Sequence, residues 1–257
     1  EALNGEMAWV YDNYVRNPRL KGLLQEYLGK PLVLVFNGGG PEWLKANVST
    51  PVDETHFTVR YQSAQHQICR HNEAGYWSWM DGKAGLVTLH DGAPEAMTVS
   101  VAYFDDKGWT GPTAHGRRGG RTYLEAFAPA LQTRPRFLQI HQFQEFAGAP
   151  ETPNGWYGDS YSPELSDDIE PTSLTAPAYR GDGGWGFLYL NLTRALVDLY
   201  RQDRPETTVL VISRPARGEV VETDALTVEW ASVGAPADEI VVRLNGRKVA
   251  RGFSGET

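Results

Sequence analysis

Hydrophobic positions along residues 17–202 switch repeatedly between helical and strand spacing. From Asn17 onward, Leu20, Leu23, Leu24 and Tyr27 recur at helical intervals, and Gly29 follows as a stop, which predicts a helix over 17–27. KPLVLVFNGGG comes next, a continuous apolar run of strand length closed by glycines. Further strands are predicted at 56–62, 75–82, 96–106 and 137–146. Helices are predicted over 120–134 and 184–202. In the first, Tyr123, Leu124, Phe127 and Leu131 share a face that is interrupted near Pro129. Helix followed by buried strand is the rhythm of a parallel sheet.

The polar residues of these strands collect at their C-terminal ends, where parallel α/β barrels build their active sites. An open doubly wound sheet obeys a similar rule. NGGGPEW lacks the spacing of a phosphate-binding glycine loop, which favours the barrel and argues against a nucleotide cofactor. The expected fold class is therefore α/β, a TIM-type (β/α) barrel over residues 1–204. These strands are too few to close an eight-stranded barrel, so the segment reads as the C-terminal portion, with earlier strands upstream of Glu1. After Arg204 the texture becomes β-branched and alternating, with an Asn245-Gly246 turn. Residues 205–257 read as part of a small all-β, immunoglobulin-like segment.

A net charge of -8 argues against nucleic-acid or anionic-membrane partners, which need a basic face. No apolar run reaches the length of a membrane span, and no signal peptide is visible. The single cysteine, Cys69, excludes an internal disulfide framework and a Cys-rich zinc site. His66 and His71 beside it form a trio without a wider ligand framework. Eight Trp, twelve Tyr and 27 Gly in an acidic chain suit a sugar-binding protein, because aromatic faces stack on pyranose rings, although most Trp residues are core filler. A polysaccharide or glycan partner, outside the cell or at its surface, is the expectation. Nothing in the sequence speaks to oligomeric state.

FLQIHQFQEF places Leu138, Ile140 and Gln142 on one strand face and His141, Phe143 and Glu145 on the other. Glu145, at the strand's end and before a long acidic loop, is the first candidate for acid–base or nucleophilic work; its bland alternative is a salt-bridged rim residue. Glycoside hydrolysis needs two carboxyl groups flanking the bond. The loop offers Glu151, Asp159, Glu164, Asp167, Asp168 and Glu170, most of them expected to be solvated. Asp159 lies among aromatics in WYGDSY, beside Trp156 and Tyr157, and Glu170 is restricted by Pro171. Candidate substrate contacts are His141, Gln144, Trp77, Trp79, Asp81, Asp105, Trp156 and Tyr157. HGRRGGR, 115–121, is either an anionic-sugar site or a solvated loop. The acids lack EF-hand spacing, so no metal is expected. Serine-hydrolase and zinc-protease motifs are absent from the sequence.

RTYLEAFAPAL, RPRFLQIHQFQEFAG and DIEPT together resemble the last helix, strand and loop of barrel glycoside hydrolases related to families 71 and 99. In those families the eighth strand ends in a W-N-E-W-like motif, followed by an E-P dipeptide and a final helix. Here the stretch from Gln142 to Phe146 stands at that motif with Glu145 on its acid, and Glu170-Pro171 stands at the E-P. Upstream, NPRLKGLLQEYLGKPLVLVF resembles the helix and strand before the middle of such barrels, so the resemblance runs over residues 17–202. It implies a retaining endo-acting enzyme. Family 99 members carry a second Glu three residues after the first, where this chain has Gly148. Either Asp159, Glu170 or Asp81 substitutes for it, or the chain is of a distinct family sharing the scaffold, or the site no longer catalyses. Two other readings remain: a carbohydrate-binding barrel that does not cleave, and a structural module of a larger surface protein.

Overall fold

A computed structural model describes residues 2–36, 52, 54–63, 75–80, 85–104, 109, 111–144, 163–174, 184–216, 219–222 and 224–252. The chain begins with helix α1 (Ala2–Val10) and continues through β1 (Glu26–Tyr27), β2 (Lys30–Phe36), β3 (Thr58–Ser63), β4 (Trp77–Ser78), β5 (Val87–His90) and β6 (Ala93–Val99). Helix α2 (Arg121–Thr133), β7 (Phe137–Ile140) and helix α3 (Leu188–Tyr200) follow. The chain closes with β8 (Thr208–Arg214), β9 (Glu229–Gly234), β10 (Ile240–Leu244) and β11 (Arg247–Gly252).

Strands β2, β3 and β4 pair in parallel, as do β6 and β7, while β1 and β5 add antiparallel edges. The fold class is thus α/β with mixed sheets. The sheets meet where Thr98 Oγ1 of β6 donates to the Ser78 carbonyl of β4 at 2.7 Å. Gln62 of β3 donates to Gln139 Oε1 of β7 at 2.5 Å. Two strands that are not neighbours can touch in this way only if the sheet curls, so the described strands form a half-barrel. Val33, Val35 and Val59 turn outward beneath Met7 of α1 and Phe57. Met97, Val99, Leu138 and Ile140 turn outward onto α2 and α3, whose Tyr123, Leu124, Phe127, Leu192 and Leu196 complete the main core.

The helix expected over 17–27 does not form. Asn17 Oδ1 caps a single 3-10 turn at Pro18–Leu20, accepting from Arg19 N at 3.0 Å, and Gly22 then turns left-handed (φ 82°). Leu28 and Gly29 also take positive φ, 52° and 78°, folding Tyr27 back onto Lys30 as a hairpin. Leu23 is left 73% exposed, so the helical spacing had no buried face to serve. Helix α1, which that spacing did not indicate, supplies the outer cover instead. Helix α2 continues through Pro129 to Thr133 rather than breaking there. Among the described residues, the strands expected over 75–82, 96–106 and 137–146 are regular over Trp77–Ser78, Ala93–Val99 and Phe137–Ile140.

After Arg204 the chain is antiparallel β-structure, as two hairpins, β8–β9 and β10–β11. They share no strand pairing among the described residues. Asn245 and Gly246 (φ 51° and 78°) form the turn between β10 and β11. Val211 of β8 is buried in the main core, and Val209, Ala231 and Val233 pack against it. No helix among the described residues is long and apolar enough to cross a membrane.

Candidate functional site

The concave side of the half-barrel carries polar side chains in three tiers. At its base Arg60 of β3 grips Glu95 of β6, with Nη2 to Oε1 at 2.7 Å and Nε to Oε2 at 3.1 Å. Trp77 Nε1 donates to the other side of the same carboxylate at 2.8 Å. A β-bulge makes this possible: Thr88 pairs with Ala96 and Leu89 with Pro94, leaving Glu95 as the extra residue, turned toward Arg60. Burial pushes the Glu95 carboxyl upward, but the hydrogen bonds from Arg60 and Trp77 outweigh it and hold the group below the usual carboxylate range. The Tyr27 ring lies between the Arg60 and Arg136 guanidinium groups, 5.3 and 5.2 Å from its centroid. The middle tier is the Gln62–Gln139 pair. Above it, at the strands' C-terminal ends, Phe36, Trp79 and His141 come together; ring centroids are 5.3 Å apart for Phe36–Trp79 and 5.6 Å for Trp79–His141.

Beyond Ile140 the chain leaves the sheet because its polar groups find partners elsewhere. His141 N still donates to the Val99 carbonyl at 2.9 Å, but Phe143 O accepts from both Ile169 N and Glu170 N at 3.0 Å. The returning segment 163–174 therefore closes onto the end of β7. His141 Nε2 lies 3.0 Å from Asp167 Oδ2, close in distance though angled away from an ideal hydrogen bond. Gln142 Nε2 donates to Asp168 Oδ1 at 2.6 Å. Arg117, buried, donates from Nε to the Ser166 carbonyl at 2.6 Å and from Nη2 to the Asp168 carbonyl, and lies over the Tyr189 ring. Burial lowers the pKa of its guanidinium, opposed by the charges of Tyr189, Asp167, Asp168 and Glu164. Glu164 accepts from Arg118 N at 2.6 Å, and burial pushes its carboxyl upward. Trp185 Nε1 ties the same segment to α3 by donating to the Pro163 carbonyl at 2.7 Å.

Of the residues singled out in the sequence, Glu145, Asp159, Asp81, Asp105, Trp156 and Tyr157 lie outside the described residues, as do Cys69, His66 and His71. Glu170 is brought beside the end of β7 by its backbone N–H, which donates to the Phe143 carbonyl, and Trp79 stands at the same end. Trp77 is 4% exposed and spends its indole N–H on Glu95, so it packs in the base and has no face open to a sugar. His141 is buried, with Nδ1 at the Trp79 carbonyl and Nε2 3.0 Å from Asp167 Oδ2, so its ring is closed to direct substrate contact. The basic run is spent on the protein itself: Arg117 is buried, and Arg118 and Arg121 pair with Glu125. Asp167 and Asp168, grouped in the sequence with solvated loop acids, are instead among the most buried side chains. Their one local signal is apolar flanking by Leu165 and Ile169. Among the described residues no group of three His, Cys, Asp or Glu could hold a metal ion.

No protein-family model matches this sequence, and no curated protein matches it. Among solved structures, a GH99 endo-alpha-mannosidase from Bacteroides thetaiotaomicron, in complex with Bis-Tris-propane, is similar over 77% of this chain and 65% of that one, at 16% identity and TM-score 0.47. A second structure of a GH99 endo-alpha-mannosidase from that organism covers 77% of this chain and 61% of its own, at 16% identity and TM-score 0.46. The chain thus spans less than two thirds of the length of either, and likenesses of this size fix neither activity nor substrate.

Proposed function

We propose that the chain is a glycoside hydrolase that cleaves a polysaccharide or glycan with two carboxyl groups, Glu145 and Glu170, acting outside the cell or at its surface. One observation carries this reading: the paired donation of Ile169 N and Glu170 N to Phe143 O, at 3.0 Å each, brings Glu170 to the strand end from which Gln144 and then Glu145 follow. Strand C-terminal ends are where such barrels do their chemistry. In the reaction one carboxylic acid gives its proton to the glycosidic oxygen as the bond to the anomeric carbon breaks. The other carboxylate either attacks that carbon, forming a glycosyl ester that water then hydrolyses, or takes a proton from a water that attacks directly. A separation of about 5–5.5 Å between the two groups would give retention, and about 6.5–9.5 Å inversion. Phe36 and Phe143, each 55% exposed, and the neighbouring Trp79 offer aromatic faces for sugar stacking at the same end.

The test is a pair of isosteric substitutions assayed on natural glycans and on aryl glycosides with good leaving groups. Glu145→Gln and Glu170→Gln should each slow cleavage of natural glycans by about 10²–10⁴-fold. The variant that lacks the acid should be the one that recovers on activated aryl glycosides, since these need no proton. Full cleavage by Glu170→Gln would remove Glu170 from the mechanism. Glycan binding with no wild-type cleavage would convert the reading to a binding barrel, for which the same aromatic faces serve.

A further inference from the structure

Arg117 stands in the turn ahead of α2 and is 2% exposed, and its hydrogen bonds reach across to the returning segment. Its backbone N–H donates to the Glu164 carbonyl at 3.0 Å, and its own carbonyl accepts from Gly120 N at 2.9 Å. The residue is thus tied to both elements by its main chain. The guanidinium lies 4.3 Å from the centroid of the Tyr189 ring of α3, which holds it from one side. Nε donates to the Ser166 carbonyl at 2.6 Å, while Nη2 donates to the Asp168 carbonyl and, at 3.1 Å, to Ser166 Oγ. Ser166 Oγ in turn accepts from Asp168 N at 3.3 Å. The turn is itself braced by β8: a Cβ on Gly119 (φ 64°) would lie 2.9 Å from the Ile212 carbonyl oxygen.

The Asp168–Ile169 peptide joins this fork to the end of β7. A trans peptide is planar, with its oxygen and its hydrogen on opposite sides. Here the oxygen accepts from Arg117, and the hydrogen, on Ile169 N, is donated to the Phe143 carbonyl at 3.0 Å. The next N–H, that of Glu170, goes to the same carbonyl at the same distance. A guanidinium that fixes one side of the peptide plane therefore fixes the other, and with it the residue that follows. We propose that Arg117 is a positioning residue for Glu170, acting through the Asp168–Ile169 peptide. The task calls for arginine, because a planar fork presents separate N–H groups to the carbonyls of Ser166 and Asp168, whereas lysine is a single point donor. In its effect on rate this inference rests on the glycoside hydrolase reading; in its claim about the backbone it does not.

The test uses the whole chain as wild type, as Arg117→Lys, which keeps the charge and loses the fork, and as Ser166→Ala, which removes one acceptor and leaves the guanidinium in place. In Arg117→Lys the amides of Ile169 and Glu170 should exchange with deuterium at least about tenfold faster than in wild type, relative to the amides of α2. Glycan cleavage by that variant should fall about 10²-fold in kcat, the scale of a misplaced reacting group, with KM within about threefold of wild type. Added to Glu170→Gln, Arg117→Lys should slow cleavage by less than about threefold more, since its effect passes through the side chain already replaced. Ser166→Ala should show the same pattern with kcat down about tenfold, and it decides the matter alone if Arg117→Lys does not fold. Unchanged relative exchange at Ile169 and Glu170 in the folded variant overturns the clamp whatever the activity. Cleavage as fast as wild type, or a loss that multiplies in full with that of Glu170→Gln, overturns the positioning role. If wild type cleaves no glycan, the hydrolase reading and the positioning role fall together, and amide exchange still decides the clamp.

Discussion

Glu95 is a buried acid whose partners are fixed by a bulge, and its titration should be visible in the stability of the protein. Its carboxyl is held below the usual range when folded, so its contribution is fully present above the unfolded value of 4.5 and is lost as pH falls through the lower folded value. Replacing it by Gln leaves the partly buried Arg60 without its counter-charge, which should cost about 1.5–3 kcal/mol at pH 7 by urea unfolding, the scale of a lost hydrogen bond between charged groups. The gap between wild type and Glu95→Gln should shrink as pH drops below about 4.5, because the wild type then loses the same charge. A constant gap down to pH 3 would contradict the Arg60–Glu95 account. At this scale the sequence was only partly readable. The alternation in FLQIHQ correctly separates Leu138 and Ile140 from His141, since strand periodicity is local. Asp167 and Asp168 look like solvated acids because the cation that buries with them, Arg117, lies some fifty residues earlier in the chain. Trp77 looked like a sugar platform because nothing local reveals that Glu95 would take its N–H.

Helices α2 and α3 were legible because each packs one continuous apolar stripe, Tyr123 to Ala130 and Tyr189 to Leu199, against the sheet. The stretch over 17–27 had the same spacing but also Pro18, Gly22 and Gly29, and the turn chemistry prevailed over periodicity. Strand β7 ends at Ile140 because the described residues after it exchange ladder partners for loop partners, as Phe143 does with Ile169 and Glu170. The docking of β8–β9, chiefly against α2 with the end of β9 against Leu199 of α3, was not legible, since it depends on a long-range fit. Gly234, at the end of β9, has φ 104°, and an added Cβ would lie 2.4 Å from the Thr207 carbonyl oxygen and 3.0 Å from a Leu199 methyl. Gly234→Ala should therefore cost more than about 1 kcal/mol in urea unfolding, whereas Gly22→Ala, with nothing within 4 Å, meets only its backbone strain. Equal losses at the two positions would argue against the close seat of β9 on α3.

Across the whole molecule, the half-barrel divides its concave side by task. The base is locked by Arg60, Glu95 and Trp77, and the strand C-terminal end carries the exposed aromatics and the returning acids. In parallel barrels the N-terminal face serves stability and the C-terminal face chemistry, and the proposed function extends that rule to this half-barrel. The α/β class could be read from the sequence, because it follows from strand and helix order. Which acids meet at the strand ends could not, because the meeting depends on how segment 163–174 folds back. The proposed breakage of glycosidic bonds by paired carboxylates is tested most directly by chain cleavage itself. Full-length wild type and Glu145→Gln are incubated with a panel of polysaccharides and glycans, and new reducing ends are counted. New ends are expected from at least one glycan with wild type, with a drop of about 10²–10⁴-fold in Glu145→Gln. Cleavage that is undiminished in Glu145→Gln, or absent from wild type across the panel, would contradict the proposal.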